Sequence, residues 1–312
     1  LERAAFCTNQ RESFKKNIFL IGISPDGSHP SSFFFDTVAP VPLVSSSSYL
    51  NSLYELLETY NPDLFIPVSD AEISFLSSLT HSIKTKIVIN PSSVINIFQN
   101  KLLTSKWLEK HNLPHPLSFI IPDNIETISF PVIIKEQAGS GSKGIFIAKN
   151  SKEFLTIKSY LKEKDVLDRY MYQSLISDDS NEYTCAMWRC GSSYQHLILK
   201  RKLIVGITSQ AEPIENEKIS VLLKNIADRI SGDFFINPQL RLANDTPFIF
   251  EINPRFSSTI RMRHLLGFKD FEWTLNYHLK NELPQKINIK NCMAMRLYDD
   301  HLSTDFKIQN GK

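Results

Sequence analysis

The spacing of apolar positions changes character along the chain. Over residues 17–90, short apolar runs at 17–23, 63–68 and 84–89 alternate with stretches whose apolar residues recur every third or fourth position. Leu50, Leu53, Leu57 and Tyr60 make one such stretch, and Ile73, Leu76 and Leu79 another. The runs predict buried strands, and the wider spacing predicts amphipathic helices. A Ser24-Pro25-Asp26-Gly27 turn closes the first run, and Ser69-Asp70 offers an N-cap to the second helix. This βαβα alternation predicts a small parallel sheet covered by helices, without the usual Gly-rich first turn.

Pro91 suits the first turn of a helix. One helix is predicted over 94–108, Asn112-Leu113-Pro114 stops it, and a domain boundary is placed near residue 91. Strand patterns then dominate, at 130–135, 145–148, 169–175, 182–189, 194–205, 234–242 and 247–252. Gly191-Ser192-Ser193 and Asn244-Asp245 supply hairpin turns. Asn150 with Glu153 caps one helix, and a second carries Ile219, Leu222, Leu223, Ile226 and Ile230 up to Gly232. Residues 208–217 read as a loop. The second half is therefore α+β with mostly antiparallel sheet, and the fold class combines α/β with α+β.

A length of 312 residues suits about two domains. The 35 Lys and Arg against 33 Asp and Glu leave a net charge of +2, with no basic stripe of the kind that holds nucleic acid. No apolar run reaches the roughly 20 residues of a membrane span, and residues 1–11 are too polar for a secretion signal. The expected location is the cytoplasm. The chain opens on Leu1-Glu2-Arg3-Ala4-Ala5-Phe6 as if partway into a helix, so the first βα unit looks truncated. Cys7, Cys185, Cys190 and Cys292 lack metal or redox spacing and are expected to be free buried thiols. His111 and His115 flank Pro114 with no carboxylate cluster nearby, and read as structural.

Two motifs carry candidate chemistry. Gly139-Ser140-Gly141-Ser142-Lys143-Gly144 has the form G-x-G-x-x-G. A β-branched run follows it where a dinucleotide fingerprint needs a helix, and Lys143 precedes Gly144 where a Walker loop needs Gly-Lys. No kinase His-Arg-Asp or Asp-Phe-Gly lies downstream. What remains is either a plain surface hairpin or a glycine hairpin whose backbone N–H groups close over phosphates. In the second case Lys135, ending the preceding strand, adds a point charge.

The second motif is Glu251-Ile252-Asn253-Pro254-Arg255 at a strand end. Glu251 and Asn253 share a strand face, and a turn centred on Asp245 sets Gln239 opposite Glu251. One carboxylate and two amide oxygens then converge, the donor type that hard cations such as Mg²⁺ take. Arg255 just beyond suits a transferring phosphoryl group. The alternative is a half-buried strand end with solvated polar residues.

Taken in order, Phe130-Pro131-Val132-Ile133-Ile134-Lys135, the 139–144 loop, Gln173-Ser174-Leu175-Ile176, Glu182-Tyr183-Thr184 and Glu251-Ile252-Asn253-Pro254-Arg255 resemble the ATP-grasp superfamily. The nearest branch is the carbamoyl-phosphate-synthase-like proteins of the carboxylate-amine ligase type. The resemblance spans about residues 60–300. It implies a preATP-grasp domain (Rossmann-like, truncated here) at 1–90 and an ATP-grasp domain at 91–312. The latter divides into a lid at about 115–172 and a C subdomain at about 173–312. The implied ligands are ATP and Mg²⁺ (or Mn²⁺). Lys101, Lys135, Gly139, Ser140, Gly141, Ser142 and Gly144 would then meet ATP phosphates. Gln173, Ser174, Leu175 and Ile176 would read adenine, and Glu182 would hold the ribose. Gln239, Glu251 and Asn253 would hold the metal. Arg255, Arg201 and Lys135 would be catalytic, the two arginines on an acyl phosphate. The chain departs from the family at Asn100, where Asp is common, and at Glu136, where Pro is common.

The activity so implied is an ATP-dependent ligase that activates a small carboxylate, an amino acid being one candidate, for attack by an amine. A kinase or carbamoyl-phosphate-type synthase, or a nucleotide-binding module without turnover, are the alternatives. The partners are small-molecule carboxylates and amines, with no nucleic acid or membrane, and homodimers are common on this scaffold. Arg261 and Arg263, in segment 257–264, face the acceptor together with 208–217, or else lie on a solvated helix face against Asp270 or Glu272. Paired guanidiniums in the first case suit an anion.

Overall fold

The computed structural model describes residues 18–25, 35–79, 83–139, 144–176 and 182–297. In the N-terminal part, β1 (Ile21–Ser24) pairs in parallel with β2 (Thr37–Pro40). The apolar pattern does not predict β2, because its four residues carry no alternation and end in proline. α1 (Tyr49–Tyr60) buries Tyr49, Leu53, Leu56 and Leu57 and ends at Asn61 in the left-handed conformation. β3 (Leu64–Phe65) leads into α2 (Asp70–Ser77), where the Ser69 hydroxyl accepts the Glu72 N–H as the expected N-cap. β4 (Lys86–Ile87) completes a second parallel pair with β3. Leu53, Leu57, Phe65, Leu76 and Ile83 belong to one apolar cluster of this part.

The single helix expected over 94–108 is two. α3 (Ser92–Phe98) stops before Asn100, which takes an extended conformation (φ −109°, ψ 119°) and caps α4 (Lys101–Lys110). Its side-chain oxygen accepts the N–H groups of Leu102 and Leu103. Asn competes with the helix for backbone donors, and here that local bond outweighs an unbroken apolar periodicity.

A four-stranded antiparallel sheet follows, built from β5 (Ser118–Ile120), β6 (Val132–Glu136), β7 (Phe146–Ala148) and β8 (Tyr170–Ser174) in the order β5-β8-β6-β7. α5 (Ser151–Glu163) covers it, packing Phe154 and Leu161 on Val132, Ile134 and Ala148. Asn150 caps the helix as expected by accepting the Glu153 N–H, while the Glu153 carboxylate reaches one residue further back to the Lys149 N–H.

The largest sheet has six antiparallel strands in the order β13-β12-β9-β10-β11-β14. In chain order these are β9 (Glu182–Cys190), β10 (Ser193–Ile204), β11 (Ile207–Pro213), β12 (Phe234–Ala243), β13 (Thr246–Asn253) and β14 (Ala294–Met295). Most of the loop expected at 208–217 is β11, because the left-handed residues Val205 and Gly206 fold it back onto β10. α6 (Glu217–Ala227), α7 (Ile260–Leu266) and α8 (Asp270–Lys280) pack on the sheet.

Strand alternation gives this sheet two unlike faces. Tyr183, Cys185, Met187, Ile198, Ile236 and Ile252 face α6 in an unbroken apolar cluster. The opposite positions Ala186, Trp188, Leu199 and Phe235 pack with residues of α7 and α8. Two steps further along the same strands that second face turns polar, at Thr184, Arg201 and Asn237. The change of character creates a polar recess beside a packed core.

Asn90, buried, ties the N-terminal part to this sheet. Its amide donates to the carbonyls of Phe235 (2.9 Å) and Pro254 (2.7 Å), and its oxygen accepts the Phe235 N–H (2.8 Å). Asn90→Ala strands these buried groups, at about 1–3 kcal/mol for an unsatisfied partner. Urea denaturation is expected to show a loss of about 3 kcal/mol from these bonds together.

Cys185 and Cys190 are buried free thiols as expected, whereas Cys292 is exposed, and Cys7 lies outside the described residues. His111 packs on Trp107, and His115 bonds the Leu113 carbonyl. Among the described residues no helix is long and apolar enough to cross a membrane.

Candidate active site

The polar recess is the floor of a cavity of about 790 Å³, whose other walls come from β6, β8, the start of α4 and the start of α2. Lys135 reaches it from the end of β6. Its ammonium, nearly sealed from solvent, donates to Gln173 Oε1 (2.9 Å) and to the Phe250 carbonyl (3.4 Å). Burial pushes this ammonium down to about 8; Glu251 opposes the shift, while Lys101 and Arg241 add to it. Gln173 is fixed in turn by its amide N–H to Ser118 Oγ (2.8 Å). Ser174, Leu175 and Ile176 continue along the wall as the chain leaves β8. The Ser174 and Leu175 N–H groups bond the Leu117 and Pro131 carbonyls, so neither amide is open.

Lys101 opens α4 because Asn100 caps there, and its ammonium lies 2.6 Å from the Gly139 carbonyl and 3.6 Å from Glu251 Oε1. Gly139 lines the cavity, whereas Gly144 is not among the lining residues. Gly144 sits at φ 65°, where an added Cβ would meet the Tyr170 hydroxyl. Ser140, Gly141, Ser142 and Lys143 lie outside the described residues.

Glu182, at the start of β9, is clamped by two guanidiniums. Oε1 accepts Arg201 Nη2 at 2.6 Å and Oε2 accepts Arg241 Nη2 at 2.8 Å. Burial works to raise this carboxyl, and the two arginines together outweigh it and hold it below the usual range. Arg201 also donates to Gln239 Oε1 (2.8 Å), which orients the amide while leaving its second lone pair. Arg241 donates to the Ile176 carbonyl as well.

Gln239 stands directly opposite Glu251 in the β12–β13 ladder, and Asn237 opposite Asn253. The register skips one residue here, since Leu240 pairs with Ile249 and leaves Phe250 as a bulge. The bulge puts neighbouring side chains on one wall, so Phe250 and Glu251 both line the cavity. The Lys135 ammonium lies over the Phe250 ring, 5.5 Å from its centre. Beyond β13, Arg255 Nε donates to Asp70 Oδ1 at 2.6 Å, joining the strand end to the first residue of α2.

A hard cation fits this donor set. Glu251, Gln239 and Asn253 offer one carboxylate and two amide oxygens on facing strands, and all three line the cavity. One carboxylate with two amide oxygens suits an ion such as Mg²⁺, which takes one or two carboxylates and completes its shell with substrate phosphates and water.

Arg263 does not reach the cavity. It is buried against Asp270 (Nη2–Oδ2 2.6 Å) and donates to the cavity-lining hydroxyls of Ser257 and Thr259. The expected contact with Asp270 is made, on a buried face in place of a solvated one. Sequence reasoning missed Asp70, Asn237, Arg241 and Phe250. The signal for Asn237 and Arg241 was present, since they flank Gln239 at two-residue spacing.

The family model of the ATP-grasp domain matches residues 98–259, just over half of the chain. Among curated proteins, 5-formaminoimidazole-4-carboxamide-1-(beta)-D-ribofuranosyl 5'-monophosphate synthetase of Pyrococcus horikoshii is 44% identical over 55 residues, 18% of this chain and 16% of that protein. The matched stretches span less than a third of the curated relatives' lengths. Among solved structures, N5-carboxyaminoimidazole ribonucleotide synthetase from Thermus thermophilus superposes with a TM-score of 0.74 at 11% identity, over 93% of this chain and 79% of that one. L-amino acid ligase from Bacillus licheniformis gives 0.69 at 14% identity, over 89% and 72%.

Proposed function

The chain belongs to the ATP-grasp domain family, and on that footing we propose that it is an ATP-dependent ligase acting on a small carboxylate and an amine. The observation that carries this reading is the meeting of Lys101, Lys135, Glu251 and Arg255 on one cavity with an apolar side wall of Ile133, Ile147 and Leu175. Cations there suit phosphates and the apolar wall suits a purine. In this reading residues 1–90 form the preATP-grasp domain, about 115–172 the lid, and about 173–312 the subdomain that holds the metal.

Lys101 and Lys135 hold ATP phosphates, as does the Gly139 loop through its backbone. Residues Gln173 to Ile176 border the adenine. The ribose lies beside Glu182, whose oxygens are taken up in fixing Arg201 and Arg241. Glu251, Asn253 and Gln239 hold Mg²⁺ (or Mn²⁺), which when bound neutralises phosphate charge. The substrate carboxylate oxygen attacks the γ-phosphorus, breaking the bond to the bridging oxygen and releasing ADP. Arg255 and Arg201 stabilise the acyl phosphate so formed. A neutral amine then adds to its carbonyl carbon, the C–O bond breaks, and inorganic phosphate leaves as the amine gives up a proton. The protein's share is positioning and charge, so no nucleophilic side chain is required.

The test is ADP release from Mg·ATP across a panel of carboxylates and amines. Release that needs one of each supports the ligase. Release with a carboxylate but no amine requirement points to a kinase, and ATP binding without release points to a silent module.

Lys135 makes the nucleotide site pH-dependent. Its charge attracts phosphate, and the free protein loses that charge as pH rises through about 8. A bound polyphosphate favours the protonated form. ATP affinity is therefore expected to fall about tenfold per pH unit above that point, with proton uptake on binding. Calorimetry at pH 9 in buffers of different ionisation enthalpy measures the uptake. Lys135→Arg, which stays charged, is expected to abolish it.

A further inference from the structure

The Asp70–Arg255 pair is asymmetric towards the cavity. The Arg255 side chain is 10% exposed, that of Asp70 is 37% exposed, and both residues line the wall. Arg255 Nη1 is further engaged by the Phe256 carbonyl. A substrate arriving beside this pair therefore meets a carboxylate first. Arg255 holds both Asp70 oxygens (2.6 and 3.3 Å) yet leaves this side chain more open than those of Glu182 and Glu251. The other carboxylates on the described wall are placed differently. Glu182 is saturated by two guanidiniums, Glu251 lies against Lys101 in the metal-type cluster, and Glu136 lies against Gly139.

The open edge of this paired carboxylate offers no partner to a simple carboxylate. It attracts a molecule that carries a cation beside its carboxylate. We propose that Asp70 reads an ammonium group of the substrate, so that the carboxylate activated here belongs to an α-amino acid. This assignment rests on the ligase reading above and adds to it the substrate class and a specificity-determining residue. In an α-amino acid a single carbon separates ammonium from carboxylate. The ammonium then lies against Asp70 while the carboxylate turns towards Arg255 and the Glu251 cluster.

The experiment uses hydroxylamine as the amine, which converts an acyl phosphate to a hydroxamate. Alanine, glutamate and phenylalanine are compared with propionate, glutarate and 3-phenylpropionate, in the wild type and in Asp70→Asn. The wild type is expected to favour at least one amino acid over its des-amino counterpart by about 30-fold in kcat/KM, the order of discrimination given by one charged contact. Asp70→Asn is expected to reduce that preference to about threefold or less, with ATP affinity unchanged. A wild type that uses des-amino acids equally well overturns the inference and leaves the ligase standing. So does a variant that loses both classes in equal proportion, since Asp70 would then only tether Arg255. No hydroxamate from any carboxylate overturns the ligase reading itself.

Discussion

Glu251→Gln is expected to lower the rate of carboxylate-dependent ADP release by about a thousandfold, the scale on which a group stabilising developing charge is felt. Glu251 is the carboxylate among the three oxygen donors on the facing strands β12 and β13. Glutamine keeps its size and one oxygen but removes the charge that a hard cation needs. The same change frees Lys101 from its partner 3.6 Å away, yet leaves the Lys101 bond to the Gly139 carbonyl. Magnesium titration separates these two effects. Loss of a metal ligand raises the Mg²⁺ concentration for half-maximal rate, whereas a displaced lysine raises the KM for ATP at saturating Mg²⁺. An unchanged rate in the variant would remove Glu251 from the chemistry.

Asp270→Asn is expected to cost about 3–5 kcal/mol of stability, because it strands a guanidinium in the interior. Arg263 and Asp270 have side chains only 2% and 4% exposed. The change should lower the urea midpoint, and activity should fall even where the protein stays folded. The reason is local: Arg263 also holds Ser257 Oγ (2.7 Å) and Thr259 Oγ1 (3.1 Å), both on the cavity wall. Replacing both partners, as Arg263→Met with Asp270→Leu, should recover much of the stability, since no buried charge remains. Activity should not return with it, because the two hydroxyls lose their donor.

The sequence reading and the structure agree most closely where a local signal and a tertiary one coincide. Gln239 does stand opposite Glu251, but the Asn244-Asp245 turn alone aligns Leu240 with Ile249, and the bulge at Phe250 completes the expected register. Ser69 and Asn150 cap helices as their side chains dictate. Misses arise where one local bond or a distant partner decides. Asn100 breaks an apolar period that alone reads as one helix. Residues 207–213 become β11 only because β10 and β14 flank them. The bulge at Phe250 defeats strict alternation, which would send its ring away from Glu251. Asp70 was legible as a helix start but not as a site residue, because its partner Arg255 lies 185 positions along the chain.

If the carboxylate oxygen becomes bonded to phosphorus during turnover, isotope transfer records it. An ¹⁸O-labelled carboxylate substrate is turned over with Mg·ATP and an amine, and the inorganic phosphate is analysed by mass spectrometry. Activation as an acyl phosphate predicts one ¹⁸O in each phosphate released, with ADP as the other product. Phosphate without label, or release of AMP and pyrophosphate, would contradict it.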